Sequence, residues 1–279
     1  MSATTIAPST TAAPKMRTDV HPVTLRRVIA SEWIKLRSLR STRITLLVGF
    51  VLMAGIGILT GAIQMSQWAT ASAGDKAGFN AVDTALRGYN FAQLAVGVLG
   101  VLLVSGEYAT GMIRATLTAV PKRLPMLWAK SIVFGAVTLV TMTIASFIAF
   151  LGTQPLLTSH HLQTTLSTPG VLRAVVGGGL YLTVVGLIGI GLGALLRNTA
   201  AAITSLFGVL LLLPVLIDLL PTSIRGHVTP YLPNNAGGAL LSVHQQSGSL
   251  APWTGFAVMC GYAAVAIAGA AYALKRRDA

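Results

Sequence analysis

Long apolar runs separated by short polar segments dominate the chain from residue 44 onward. A helix needs about 20 apolar residues to cross the roughly 30 Å hydrocarbon core of a bilayer, and runs of that kind recur here. We identify six of them, at residues 44–65, 91–105, 127–152, 174–196, 200–220 and 253–274. The pattern therefore predicts an all-α membrane protein with six transmembrane helices.

The second of these runs is too short to cross the bilayer by itself. Residues 91–104 number about 14, and at 1.5 Å per residue such a helix reaches only about 21 Å. The helix must therefore extend at one or both ends. Extension toward the C-terminus would bring Glu107 to the membrane boundary.

Composition and charge agree with this prediction and add an orientation. The chain is 53% hydrophobic and only 10% charged, and its mean hydropathy is +0.73. The net charge of +13 does not indicate nucleic acid, because the cations lie between apolar runs and not on a soluble basic face with stacking aromatics. Cationic loops are retained in the cytoplasm. An N-terminus placed inside leaves only four of the 20 Lys and Arg residues outside, namely Lys76, Arg87, Arg173 and Arg225. We expect a multi-pass protein of the cell membrane with both termini cytoplasmic.

The N-terminal region divides into two parts. Residues 1–24 are rich in Ser, Thr, Ala and Pro and lack the apolar core of a cleaved signal peptide, which predicts a disordered cytoplasmic tail. Residues 25–43 are amphipathic, with an apolar arc of about 140° on a helical wheel. The arc consists of Leu25, Val28, Ile29, Trp33, Leu36 and Leu39. This pattern predicts an interfacial helix on the inner leaflet that turns into the first span at about residues 42–44. Residues 25–279 would then form one transmembrane domain.

Glu32 interrupts this apolar arc. A carboxylate that faced lipid would be costly, so we expect this part of the helix to face protein. Two alternatives remain at this point. Glu32 either lies at the edge of the arc and reaches the headgroup region, or it pairs with a cation on the inner loop, for which Arg114 is a candidate.

That inner loop runs from Ser105 to Lys130 with the sequence SGEYATGMIRATLTAVPKRLPMLWAK. Its apolar residues recur at helical spacing, Gly111 permits close approach, and Pro121 ends the segment. We predict a short helix on the inner surface here. Glu107 and Arg114 are seven residues apart, too far for a direct bond within one helix, so each should find a partner elsewhere.

Small residues within the runs indicate where helices approach one another. They occur as GILTG at 57–61, as GIGLG at 189–193 and as three consecutive glycines at 177–179. Such motifs permit close helix packing. For the triple glycine, packing is the favoured interpretation and a flexible gate is the alternative.

Motifs for catalysis are missing from the sequence. It contains no GxxxxGK[ST] phosphate loop, no HExxH and no CxxC, so we expect no catalytic activity, cofactor or metal in this chain. His160 and His161 have no neighbouring carboxylate or cysteine and are interpreted as solvated loop residues. Asp218 is the one acidic residue within the six runs, and proton-coupled carriers need more than that. The energy for any transport must come from another protein.

Three segments resemble a known family when taken together and in order. They are SEWIKLRSLRST at the start, GEYATGMIRATLTAVPKR in the inner loop, and YLPNNAGGAL followed by LAPWTGFAVMCGYAAVAIAGAAYALKRRDA near the C-terminus. They are similar to permease subunits of actinobacterial ATP-binding cassette (ABC) exporters of type 2. The resemblance covers residues 25–279.

The resemblance implies a role for each of the two basic segments. The first would be the connecting helix, with Glu32, Trp33, Lys35, Leu36 and Arg37. The inner loop would carry the coupling helix that docks on a separate ATPase, with the residues Glu107, Tyr108, Gly111, Ile113 and Arg114.

The same resemblance implies partners for the chain, and two alternatives from other classes of protein remain. Two copies of an ABC ATPase subunit would bind ATP and Mg²⁺, a second permease chain, identical or different, would complete the pathway, and nucleic acid would not be a partner. One alternative is a non-transporting sensor or immunity protein that binds a cytoplasmic partner through the same loop. A secondary carrier is a more distant one.

Overall fold

The computed structural model of the chain describes residues 24–109, 111, 123–245 and 248–276. Every regular element in these ranges is helical. The α-helices are α1 (Leu25–Ser38), α2 (Arg40–Ser66), α3 (Ala73–Ala77), α4 (Ala81–Leu86), α5 (Tyr89–Ala109), α6 (Arg123–Leu157), α7 (Val171–Leu196), α8 (Thr199–Phe207), α9 (Leu213–Asp218), α10 (Thr222–Val228), α11 (Pro233–Leu241) and α12 (Pro252–Arg276).

Six helical stretches in the described part of the chain are long and apolar enough to cross a membrane. They are Arg40–Ser66, Ala81–Ala109, Leu124–His160, Val171–Leu196, Thr199–Asp218 and Pro252–Arg276. Each contains most or all of one predicted run. The prediction of an all-helical protein with six candidate transmembrane helices is therefore confirmed, and the protein is described below as a multi-pass membrane protein.

The second span is longer than its apolar run because it consists of two helices. α4 and α5 follow one another with a break at Arg87 and Gly88, and together they reach from Ala81 to Ala109. At the break a Cβ atom on Gly88 would lie 2.2 Å from the backbone oxygen of Met53 in α2. The expected extension of this span therefore occurs at both ends, and glycine is needed where it bends against α2.

Helix α7 is the centre of the bundle. In its most apolar stretch 72% of the residues are buried, compared with 22% in the span formed by α8 and α9. It packs against α5, α6 and α12. Close packing depends on its small residues: a Cβ on Gly179 would lie 2.0 Å from the Thr143 hydroxyl oxygen and 2.8 Å from the Thr143 backbone nitrogen in α6. The triple glycine thus serves helix packing.

Helix α11 was not expected, since the sequence indicated only a connection between the last two spans. It lies beside the first eleven residues of α7, with Leu240 against Gly177 and Gly237 against the ring of Tyr181. A guanidinium nitrogen of Arg173 donates to the Ser242 carbonyl at 2.6 Å. Eleven residues of helix correspond to about 16 Å, so α11 reaches well into the bundle from the Val171 end of α7.

A polar contact fixes the start of α11. The buried hydroxyl of Tyr181 lies within hydrogen-bond distance of Gln93 Oε1 in α5 and of Asn234 Oδ1, the latter at 2.8 Å. Asn234 Nδ2 donates to the Leu210 carbonyl at 2.7 Å. Leu210 lies in a π-helical stretch, Gly208–Leu212, just before Pro214, which has no N–H for the usual α-helical bond to that carbonyl. The amide therefore satisfies a carbonyl at an irregular turn, as an apolar environment requires.

We predict that Gly179→Leu destabilises the bundle, because the added side chain must displace the backbone of α6 at Thr143. Overpacking of this kind costs about 1–3 kcal/mol or more, which should lower the midpoint of thermal unfolding in detergent by several degrees. The matched control is Gly261→Leu in α12, where an added Cβ meets no atom within 4 Å. Equal midpoints for the two variants would contradict the proposed tight contact between α6 and α7.

Candidate functional site

Helix α1 presents one narrow face to the bundle. Val28, Glu32 and Leu36 are buried at intervals of four residues, which places them in one line along the helix. Trp33 is 49% exposed and Leu25 is 47% exposed, so the predicted apolar arc is divided between protein and surroundings. The expectation that Glu32 faces protein is confirmed. The alternative, in which Glu32 lies at the edge of the arc, is wrong.

The chain bends after α1 earlier than predicted. Leu39 is extended, with φ −74° and ψ 114°, and α2 begins at Arg40 and not at residues 42–44. The Leu39 N–H still donates to the Lys35 carbonyl, so the last backbone hydrogen bond of α1 is formed despite the bend. Neither Gly nor Pro occurs near the bend, and tertiary contacts of α1 with α6 must therefore determine its position.

Glu32 belongs to a group of four charged side chains from three helices, which we call the charge cluster: Glu32 and Lys35 of α1, Glu107 of α5 and Lys130 of α6. Lys130 Nζ donates to Glu32 Oε2 at 2.7 Å and to Glu107 Oε1 at 2.9 Å. Lys35 Nζ donates to Glu32 Oε1 at 3.0 Å and to Glu107 Oε1 at 3.3 Å. Each ammonium group therefore bridges both carboxylates, and each long-range bond ties one helix to another.

Burial differs strongly within the charge cluster. The side chains of Glu32 and Lys130 are 5% and 4% exposed, that of Glu107 is 12% exposed, and that of Lys35 is 33% exposed. A charge removed from water is costly unless it is paired and hydrogen-bonded. Glu32 and Lys130 consequently depend on each other most, whereas Lys35 keeps part of its hydration.

The environment of Lys35 also affects its pKa. Partial burial lowers the pKa of the Lys35 ammonium, but the nearby carboxylates of Glu32 and Glu107 raise it by more, so the pKa lies above its ordinary 10.5. A raised pKa means that the stabilisation is complete below the unfolded-state value and is lost only as pH rises through the folded-state value. The Lys35 ammonium group should therefore keep its charge between about pH 6 and pH 9.

Among the described residues, the cations that pair with Glu32 are Lys130 and Lys35. Lys130, the last residue of the inner loop as we defined it, lies within α6. Arg114 lies outside the described residues, and its pairing stays a prediction. A signal for Lys130 was present in the sequence, because a lysine four residues into a predicted span needs an anionic partner. Glu107 finds its partners on other helices, as expected.

Tyr108 and Gly111 lie where α5 ends. The guanidinium of Arg197, at the turn between α7 and α8, lies 5.4 Å from the centre of the Tyr108 ring, a cation–π distance. Gly111 has φ +70°, and a Cβ there would meet no atom of the described residues within 4 Å. Glycine suits this position because of its left-handed conformation, and the close approach expected for it stays a prediction.

The structure brings only some of the predicted site residues together. Of the connecting-helix set, Glu32, Lys35 and Leu36 face the bundle, whereas Trp33 and Arg37 are exposed. Of the coupling set, Glu107 belongs to the charge cluster. Ile113 and Arg114, together with the rest of the predicted short helix at 112–122, lie outside the described residues.

A cavity of about 430 Å³ adjoins the charge cluster between α1, α2, α5 and α6. All four charged residues of the cluster line one part of it, and leucines of α1 and α5 line another. This volume lies within the range of about 300–1,000 Å³ that is common for small-molecule sites.

No protein family's sequence model matches the chain, and no curated protein matches it either.

We predict that Lys130→Met is far more destabilising than Lys35→Met. Loss of Lys130 leaves Glu32 buried without its shortest ion pair, and removing one partner of a buried pair costs about 3–5 kcal/mol. Lys35 is partly hydrated, so its loss should have a smaller effect. The measurement is the unfolding midpoint of each purified variant in detergent. Equal midpoints for the two variants would show that the buried ion pairs of Lys130 stabilise the bundle no more than the ion pairs of Lys35 do.

Proposed function

We propose that this chain is the membrane-spanning permease subunit of an ABC exporter of type 2, driven by a separate ATPase. The proposal rests on the family resemblance in the sequence and on the architecture of six candidate transmembrane helices. In this account the chain has no catalytic role of its own. Two copies of the ATPase subunit bind ATP and Mg²⁺, and a second permease chain completes the pathway through the cell membrane.

The observation that carries the proposal is the position of the charge cluster. Glu107 lies two residues before the end of α5, and Lys130 lies seven residues after the start of α6. These are the two helices that flank the segment assigned to the coupling helix. Both residues bond to α1, which the resemblance assigns as the connecting helix. A force applied to the loop would reach α1 through ion pairs as well as through the backbone.

The proposed mechanism follows from that connection. ATP-driven association of the two ATPase subunits displaces the coupling segments toward each other. Because α1, α5 and α6 are joined by the charge cluster, their ends at the inner surface move together. The motion then passes along α5 and α6 to the tightly packed α7, and the two permease chains open toward the outside.

The experiment uses the complex of this chain with the ATPase encoded by the neighbouring gene, reconstituted in liposomes. Glu107→Ala and Arg114→Ala should each lower transport and transport-coupled ATP hydrolysis, while membrane insertion and expression stay normal. The control is Lys76→Ala in α3, an exposed cation at the opposite end of the bundle. It should leave both activities unchanged.

Three results would overturn the proposal or part of it. Normal transport by both the Glu107 and the Arg114 variants would exclude the coupling assignment. ATP-independent uptake by the purified chain would favour a secondary carrier. A stable complex with a cytoplasmic partner that is not an ATPase, without any transport, would favour the sensor or immunity alternative.

A further inference from the structure

The cavity beside the charge cluster is amphipathic. Its polar lining consists of the four charged side chains and of Ser38, Ser41, Thr42 and Thr45. Its apolar wall consists of Leu36, Leu39, Leu99, Leu102, Leu103 and Val133. A space with this division suits a molecule that has a polar head and an apolar body, in contrast to water or an ion alone.

The cavity is open on one side. Leu39 and Leu102 are 48% and 40% exposed, whereas Leu36 and Leu99 are buried, so the opening lies on the side of the first two. Leu102 belongs to the second candidate transmembrane span, so the opening lies beside a helix that is long and apolar enough to cross the membrane. This position favours entry of an apolar molecule from the membrane.

The space is present at the polar end as well. Gly106 lines the cavity, and a Cβ built on this residue would have no atom of the described residues within 4 Å. Gly106 is adjacent to Glu107, which also lines the cavity. A larger side chain at Gly106 would occupy the same space without displacing the helix.

One oxygen in the charge cluster lacks a partner. Glu32 uses both carboxylate oxygens and Glu107 uses Oε1, but Glu107 Oε2 is buried with no hydrogen-bond partner among the described residues. A buried acceptor without a donor is costly. The members of the charge cluster therefore do not satisfy all of its acceptors.

The charge of the ligand head follows from the balance within the cluster. Two carboxylates and two ammonium groups already neutralise one another at distances of 2.7 to 3.3 Å. An added cation would lie close to Lys130, and an added anion would lie close to Glu107, in surroundings that screen charges poorly. A neutral hydroxyl can donate or accept a hydrogen bond at the cluster and adds no charge.

We propose that this cavity binds a neutral amphiphile, whose hydroxyl-bearing head lies against the charge cluster and whose apolar chain lies along Leu36, Leu39 and the leucines of α5. The site is a property of this chain alone and does not depend on an ATPase. Two sources share this chemistry, a neutral membrane lipid and an exported amphiphile.

The test uses three photoreactive dodecyl probes with the same chain and different heads: a monoacylglycerol, a carboxylate and an amine. Each is added to the full chain in nanodiscs, and cross-linked peptides are mapped by mass spectrometry. The monoacylglycerol should label residues 36–45 and 99–107 saturably, at least about fivefold more than either charged probe, since a single extra charge is costly to bury.

Two variants should remove this labelling. Gly106→Leu fills the cavity, and Leu102→Trp obstructs its opening from an exposed position, so one tests the space and the other tests the entrance. Each should reduce labelling by about tenfold, the effect of roughly 1.4 kcal/mol of binding free energy. Gly261→Leu, the matched glycine exposed on α12, should have no effect. Equal labelling by all three probes, or labelling unchanged in both cavity variants, would overturn the proposal.

A second measurement distinguishes the two sources. Mass spectrometry of the protein purified from its own membrane, without added probe, identifies any lipid already bound. A retained neutral lipid that the monoacylglycerol displaces would identify a lipid site. A cavity that is empty after purification, with probe bound but released on ATP hydrolysis by the complete complex, would identify cargo.

Discussion

Charged groups in a weakly screened interior must neutralise one another, and this requirement determines how the end of the bundle is assembled. Glu32 and Lys130 are almost completely buried and only 2.7 Å apart, so neither can tolerate separation without a large cost. Lys130 is held by α6 and by Glu107 of α5 at the same time. The position of α1 is therefore set by charge pairing, with Val28 and Leu36 adding apolar contacts on either side.

The rest of the bundle is organised by packing around α7, and the two ends of the molecule differ as a result. Toward the Val171 end, small residues allow α11 to lie against α7, and Asn234 satisfies the Leu210 carbonyl at the π-helical stretch. At the other end, α1 lies against α6 and is joined by ion pairs and not by glycine contacts. A contact made by ion pairs can exchange partners, which tight backbone contact cannot do easily. This difference makes the end with the charge cluster the better candidate for movement.

The six candidate transmembrane helices could be predicted from the sequence, because the length and apolarity of a membrane-crossing helix are local properties. The sequence was also sufficient for the burial of Glu32, since an acid within an apolar arc demands protein contact. It was not sufficient for the bend at Leu39, which has no local cause, or for α11, whose short sequence is ambiguous without its contacts to Tyr181. Lys130 shows the remaining limit: its position in a span indicated that a partner was needed, but only the fold brings Glu32 from 98 residues away.

The most direct test of this account is a double-mutant cycle between Glu32 and Lys130. The free energy of unfolding in detergent is measured for the parent chain, Glu32→Gln, Lys130→Met and the double variant. If the pair holds α1 to α6, the double variant should be more stable than the sum of the single losses predicts, by roughly 1.5 kcal/mol or more. Additivity within about 0.5 kcal/mol would contradict the central role of the charge cluster.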